Sequence, residues 1–240
     1  MVEIYKSLAD SVSKIQDGEV LMIGGFGGSG SPIELIHALI DRFSATGSPS
    51  RLTVVNNNAG NGYVGIAAMI RAGMVAKMIC SFPRSSNAKA FNEKYLAHEI
   101  ELELVPQGTL AERIRAGGAG IPAFYTPAGY GTEIADGKPT ESFNGKMHVR
   151  ELALIGDHAI VKADVGDTSG NLTFRMAARN FSPLMCMASK NSIVQVRHLV
   201  SSGQIKPANV MTPGIFVSGL IEVPNPEQEE LLVRKEAVHQ

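Results

Sequence analysis

The chain has 240 residues, 44% hydrophobic and 19% charged, with a formal net charge of −1 and no tryptophan. That length supports a full core, either as one large α/β domain or as two small ones. The near-neutral balance lacks the basic footprint of a nucleic-acid or anionic-membrane binder, and no apolar run approaches the roughly 18 residues of a membrane span.

The N-terminal segment lacks the basic-then-apolar pattern of a secretory leader. Residues 3–15 read instead as an amphipathic helix. From there apolar runs alternate with helical patterns. Strands are expected at 20–23, 52–55, 75–80, 100–105, 158–162, 192–198 and 214–217. Helices are expected at 32–42, 65–71, 88–98, 109–116 and 178–187. Early strands recur every 25–30 residues, the size of a βαβ unit. The fold class is therefore α/β, an open and mostly parallel sheet with helices on both faces.

Between 138 and 152 the pattern changes. Asn144-Gly145 separates two extended segments, which predicts a type I′ hairpin inserted into the parallel architecture. Residues 1–223 read as one domain. The charged segment 224–240 reads as a tail outside the core, a frayed or partner-contacting helix. Cys80 and Cys186 sit in apolar runs and fit no metal spacing, so both read as buried reduced thiols of a cytoplasmic protein.

Four strand ends carry the residues of interest. After 20–23 comes G-G-F-G-G-S-G: Gly24, Gly25, Phe26, Gly27, Gly28, Ser29 and Gly30. Ser31, Pro32 and Glu34 follow as N-cap, N1 and N3 of a capping box. Glycines there bring backbone N–H groups close to an anion, helped by the helix N-terminus. The spacing also fits G-x-G-x-x-G, but a dinucleotide site needs an acidic residue after the next strand. That strand ends in Asn56-Asn57-Asn58, so a phosphorylated or acyl-bearing ligand ranks above a dinucleotide. A tight turn without a ligand is the plain alternative.

At 56–62, N-N-N-A-G-N-G reads either as a specialised loop or as amides facing the crevice. Arg84, in S-F-P-R, reads first as a solvated loop residue and second as a fork for a substrate carboxylate. Gln107 stands at the next strand end. Its neutral amide cannot take a proton but can donate to a developing oxyanion. Arg113 and Arg115 read as surface ion-pairing residues. The stretch 105–132 has six glycines and three prolines but no Asp, His, Cys or Lys. There is no nucleophile elbow, no Walker lysine and no cluster of metal ligands, so these loops read as half of a composite site.

These motifs resemble those of the A (alpha) chain of family I CoA-transferases over nearly the whole length. The resemblance rests on G-G-F-G-x-x-G at 24–30, N-N-A-G at 57–60, the segment 105–132, G-N-L-T-F-R at 170–175, A-R-N-F-S-P at 178–183 and T-P-G-I-F-V at 212–217. N-A-G-N-G, A-A-M-I-R-A-G and C-S-F-P-R are most similar to the 3-oxoadipate-type alpha chains, with acetoacetate-using relatives as the near alternative. The resemblance implies an enzyme of alpha and beta (A and B) chains, an A2B2 heterotetramer, with CoA and succinyl-CoA as substrates and no permanently bound cofactor. It implies a nucleophilic glutamate on the beta chain in a motif like S-E-N-G, which this chain lacks. It places Gln107 near the thioester carbonyl, Asn57 and Asn58 in the same site, and residues 24–30 in the CoA-binding signature. Two other classes stay open at this point: a non-enzymatic sensor of phosphorylated ligands, and a dinucleotide oxidoreductase.

Overall fold

The computed structural model describes residues 2–84 and 87–233. In chain order the elements are β1 (Glu3–Ile4), α1 (Leu8–Ser11), β2 (Val20–Ile23), α2 (Ile33–Thr46), β3 (Leu52–Val55), α3 (Ile66–Ala72), β4 (Val75–Cys80), α4 (Lys89–Leu96), β5 (Glu101–Leu104) and α5 (Gln107–Gly118). There follow β6 (Ala123–Thr126), β7 (Thr140–Phe143), β8 (Lys146–Leu152), β9 (Gly156–Asp167), β10 (Leu172–Thr173), α6 (Ser182–Met187), β11 (Ser189–Val200), β12 (Gly219–Glu222) and α7 (Glu227–Val233).

The main sheet runs in the order β1-β12-β11-β9-β2-β3-β4-β5, and every pairing along it is parallel. Only β10 is antiparallel, against β9. Strands buried on both faces need no polar alternation, which is why they read as short continuous apolar runs. On one face, Leu21, Ile23, Leu52, Val54 and Ile160 pack with Leu35, Ile36, Met69 and Phe91 of α2, α3 and α4. On the other, Met22, Val55, Ala159 and Val161 pack with Leu110 and Ile114 of α5 and Met185 of α6.

From β2 the chain adds β3, β4 and β5 toward one edge, while β9, β11 and β12 extend the other way. The order therefore reverses between β2 and β9. In open α/β sheets that reversal opens a crevice at the carboxyl ends of the strands. The loop 24–30 leaves β2 at this point.

Residues 3–15 are not one helix. Glu3 and Ile4 pair with β12, and Ser7 then caps the single turn α1 by accepting from the Asp10 N–H at 3.1 Å. The alternation in V-E-I-Y belongs to an edge strand. In the segment 214–217, expected as a strand, Gly214–Phe216 form a 3₁₀ turn, and the strand lies at Gly219–Glu222. A Cβ on Gly214 would stand 2.0 Å from the Ser169 carbonyl oxygen, so this backbone is pressed against a neighbouring turn rather than against a strand. The capping box does not form: Pro32 is the N-cap, and Glu34 accepts instead from the Glu229 N–H of α7 at 3.0 Å. The hairpin turns at Asn144 (φ 51°) and Gly145 (φ 74°), as a type I′ turn requires. A strand not expected from sequence, β6, joins β8 and β7 in a three-stranded antiparallel sheet. Residues 227–233 form α7, which reaches back to Glu34 of α2; residues 234–240 lie outside the described residues.

Candidate active site

Three strand ends converge on one amide. Gln107 is the first residue of α5, directly after β5. Its Oε1 accepts from Asn57 Nδ2 at 2.7 Å and from the Ser81 hydroxyl at 2.5 Å. Asn57 ends the β3 side and is 5% exposed. Ser81 follows β4 and lies 3.0 Å from the Asn57 carbonyl oxygen. With two donors on its oxygen, the Gln107 amide has an assigned orientation, and its Nε2 hydrogens point away from the pair. The α5 N-terminus adds its partial positive charge in the same place.

Arg113 holds α5 against β5. Contrary to the surface role expected from sequence, it is 8% exposed, donates to Glu103 at 2.6 Å and donates to the Leu152 carbonyl at 2.8 Å. Burial pushes the Glu103 carboxyl up, but hydrogen bonds from Lys77 and Arg113 outweigh it and hold the group below the ordinary range. Arg115 does pair at the surface, with Glu112.

Next to the amide group lies a cleft of about 310 Å³ lined by Gly24, Gly25, Gly27, Gly28, Asn56 and Asn58, with Gly60 and Gly65 behind. Asn56 bridges the strands by donating to the Ile23 carbonyl at 2.6 Å, while its own oxygen accepts from the Asn58 N–H at 3.0 Å. Asn58 turns the chain again through Gly60 N–H at 2.8 Å. His37 accepts from the Gly65 N–H at 3.2 Å, which needs a bare ring nitrogen, and burial lowers its pKa in the same sense.

The glycine loop folds back on itself through paired Phe26–Ser29 backbone bonds of 3.0 Å. Asn180 clamps it from across the crevice. Its Oδ1 accepts from the Gly25 N–H at 3.2 Å, and its Nδ2 donates to the Ser29 carbonyl at 2.9 Å. This clamp breaks the helix expected over 178–187: Asn180 takes φ 19°, ψ −117° between a 3₁₀ turn and α6. Gly30 packs so closely on this segment that a Cβ would meet the Ala178 carbonyl at 2.5 Å. Phe26 is exposed and stacks on Phe181, with ring centroids 6.5 Å apart.

The structure thus groups Gln107, Asn57 and Ser81, and places Asn58 with Gly24, Gly25, Gly27 and Gly28. Ser29 and Gly30 face a different cleft on the far side of the loop. Arg84 is exposed and lines a third space with Phe82, Phe91, Tyr95 and Leu104, beyond Ser81. Sequence reasoning passed over Ser81 and Asn180, whose only signal was their place in the motifs S-F-P-R and A-R-N-F-S-P. Cys80 offers no nucleophile: burial pushes its thiol up to about 12, and Cys186 likewise. No metal-binding group of side chains occurs among the described residues, and no helix there is long and apolar enough to cross a membrane.

Comparisons with known proteins bear on the family and the fold. The family model described as Coenzyme A transferase matches residues 5–222. The chain is 52% identical to the A chain of the 3-oxoadipate CoA-transferase of Pseudomonas putida, over 91% of this chain and 93% of that one. It is 48% identical to the A chain of the succinyl-CoA:3-ketoacid coenzyme A transferase of Xanthomonas campestris pv. campestris (strain B100), over 92% and 89%. Among solved structures, the acyl-CoA transferase of E. coli O157:H7, in its thioester complex with CoA, matches with a TM-score of 0.79 at 22% identity. That match covers 95% of this chain, which spans half of the E. coli chain. The family match spans nearly the whole of the main sheet, and the chain belongs to the coenzyme A transferase family.

Proposed function

We propose that this chain is the alpha component of a succinyl-CoA:3-oxoadipate CoA-transferase, working with a beta partner in an A2B2 assembly. The observation that carries the reading is the Gln107 amide, oriented by Asn57 and Ser81 at converging strand ends, with no carboxylate, thiolate or base-activated hydroxyl beside it among the described residues. The 52% identity to the corresponding chain of a 3-oxoadipate CoA-transferase supports the acceptor. The dinucleotide reading lacks its ribose-binding carboxylate, since asparagines follow β3. The family match leaves no support for a sensor.

In this reading a glutamate of the partner attacks the thioester carbonyl of succinyl-CoA and expels the CoA thiolate, leaving an acyl-glutamyl anhydride. The thiolate attacks the glutamyl carbonyl, releasing succinate and forming a glutamyl-CoA thioester. The carboxylate of the 3-oxo acid then attacks the glutamyl thioester carbonyl and expels the CoA thiolate, giving a second anhydride. The thiolate attacks its 3-oxoacyl carbonyl, forming the 3-oxoacyl-CoA and releasing the glutamate carboxylate. Each addition puts negative charge on a carbonyl oxygen. Gln107 Nε2, already oriented, donates to that oxygen without reorganisation cost. Asn57 and Asn58 line the same site. The glycine loop shapes the space beside it, and CoA is a substrate rather than a resident cofactor.

The test is an assay of the co-purified alpha–beta complex with succinyl-CoA and either 3-oxoadipate or acetoacetate. Transfer to 3-oxoadipate with the higher kcat/KM is expected. Preference for acetoacetate would overturn the acceptor, and no CoA transfer to any 3-oxo acid would overturn the function.

A further inference from the structure

Strands β9 and β11 run well past the end of β2. The β2 pairing with β9 ends at Ile23–Ile160, followed by one bond from the Gly24 N–H to the Ile160 carbonyl at 3.0 Å. Beyond it β9 continues to Asp167 with β11 alongside, and Lys162 is paired with Gln195. With two-residue periodicity, Lys162 and Asp164 of β9 share a face with Gln195 and Arg197 of β11. The glycine loop lies against this extension. Between them is a cleft of about 270 Å³ lined by Gly28, Ser29, Gly30, Lys162, Arg175 and Arg197, together with Asp164 and Glu229.

Three cations meet here, and their partners are few. Among the described residues neither Arg175 nor Arg197 has a carboxylate within ion-pair distance. The backbone N–H groups of Gly28 and Gly30 have no acceptor among the described residues either. Lys162 alone is engaged, by Glu229 of the acidic helix α7.

Glu229 fits this place badly. One carboxylate oxygen meets Lys162, while the other is buried with no hydrogen-bond partner, and such an oxygen is costly. A carboxylate has two oxygens on one carbon, whereas a terminal phosphate presents three acceptors and can serve a guanidinium fork and a backbone N–H together. The cleft's donors, Lys162, Arg175, Arg197 and the Gly28 and Gly30 N–H groups, outnumber the oxygens of Glu229, even with Asp164 also in the lining.

We propose that this cleft binds a phosphate group of the acyl-CoA substrate, and that Glu229 is an internal stand-in that the phosphate displaces from Lys162. This rests on the function proposed above for its substrate, and on the cleft itself for its chemistry. The glycine loop is then a wall between two spaces: Gly24, Gly25 and Gly27 face the cleft beside the amide group, Ser29 and Gly30 face the phosphate, and Gly28 touches both. The tail helix competes with the substrate.

The experiment compares kcat/KM for succinyl-CoA with that for succinyl-pantetheine, which keeps the thioester and lacks the phosphates, in the alpha–beta complex. Arg175→Ala and Arg197→Ala are each expected to lower the ratio of the two about tenfold, the loss of one charged hydrogen bond. Glu229→Gln is expected to raise it. An unchanged ratio in both arginine variants, or equal losses with both substrates, overturns the proposal. Thermal stabilisation of the complex gives a second readout. CoA should stabilise more than pantetheine, and the difference should shrink in the arginine variants. Stabilisation by inorganic pyrophosphate as large as that by CoA would assign the cleft to free phosphate and overturn the substrate assignment. Wild-type complex that transfers no CoA, yet is stabilised by CoA over pantetheine through Arg175 and Arg197, would overturn the proposed function and leave the phosphate site standing.

Discussion

Asn57 donates its side-chain N–H to Gln107 Oε1 across 2.7 Å, although 50 residues separate them in sequence. One residue follows β3 and the other begins α5 after β5, with β4 between β3 and β5 in the sheet. The bond takes up the amide's acceptor and leaves its donors for a ligand. A residue capable only of neutral hydrogen bonding thereby becomes a directed donor.

Gln107→Ala in the alpha–beta complex should lower kcat by about 10²–10³-fold, the usual cost of an oxyanion donor, with a much smaller effect on KM. Gln107→Glu should not recover activity, since a carboxylate brings no donor and repels the developing charge. Steady-state kinetics checks both. A change confined to KM would place Gln107 in ground-state binding.

Ser81 acts through Gln107. Removing its hydroxyl in Ser81→Ala frees one of the two bonds that orient the amide, worth about 1 kcal/mol or roughly fivefold in kcat. Ser81→Thr, which keeps the hydroxyl, should restore most of the rate. The double variant Ser81→Ala, Gln107→Ala should be no slower than Gln107→Ala alone, because the two share one pathway. Additive losses in that cycle would separate them.

Arg84 is exposed and lines a space with Phe82, Phe91 and Tyr95, and its proposed role is to hold the distal carboxylate of a six-carbon oxo-diacid. Arg84→Ala should reduce kcat/KM for 3-oxoadipate by about tenfold or more, from a lost contact of about 1.5–3 kcal/mol. Acetoacetate has no second carboxylate and should lose much less. Equal losses for both acceptors would remove the role.

Arg113 and Glu103 tie α5 to β5, so the pair bears on stability and its pH dependence. The Glu103 carboxyl is held below its ordinary value near 4.5, so its contribution is present above that value and fades as pH falls through the lowered one. Arg113→Met should lower the melting temperature at pH 7. The gap to wild type should narrow as the pH drops below about 4.5, because wild type then loses what the variant already lacks. Melting curves between pH 3 and 7 check this. A gap that widened on acidification would reverse the sign.

Much of the sheet was legible because parallel strands buried on both faces leave short apolar runs, as at Val20–Ile23, Leu52–Val55 and Val75–Cys80. The hairpin was legible because Asn144-Gly145 has few other uses. At the N-terminus, two strand residues and one helical turn were too short to show either period. The helix expected through 180 was broken by a tertiary bond from Asn180 to the glycine loop, which no local pattern encodes. Gln107, Asn57 and Asn58 were legible as strand-end amides. Their meeting with Ser81 depends on strand order, which the sequence does not state. Arg113 was misplaced because a charged helix residue reads as solvated unless its buried partner, Glu103, is known.

In the proposed division of labour this chain supplies an oriented amide and substrate-shaping loops while the partner supplies the nucleophile. Intact-mass measurement of both chains, after the alpha–beta complex is incubated with succinyl-CoA alone, tests it most directly. A CoA thioester adduct is expected on the partner chain, with none on this chain and no transferase activity from this chain by itself. A CoA adduct on this chain, or full turnover without the partner, would contradict it.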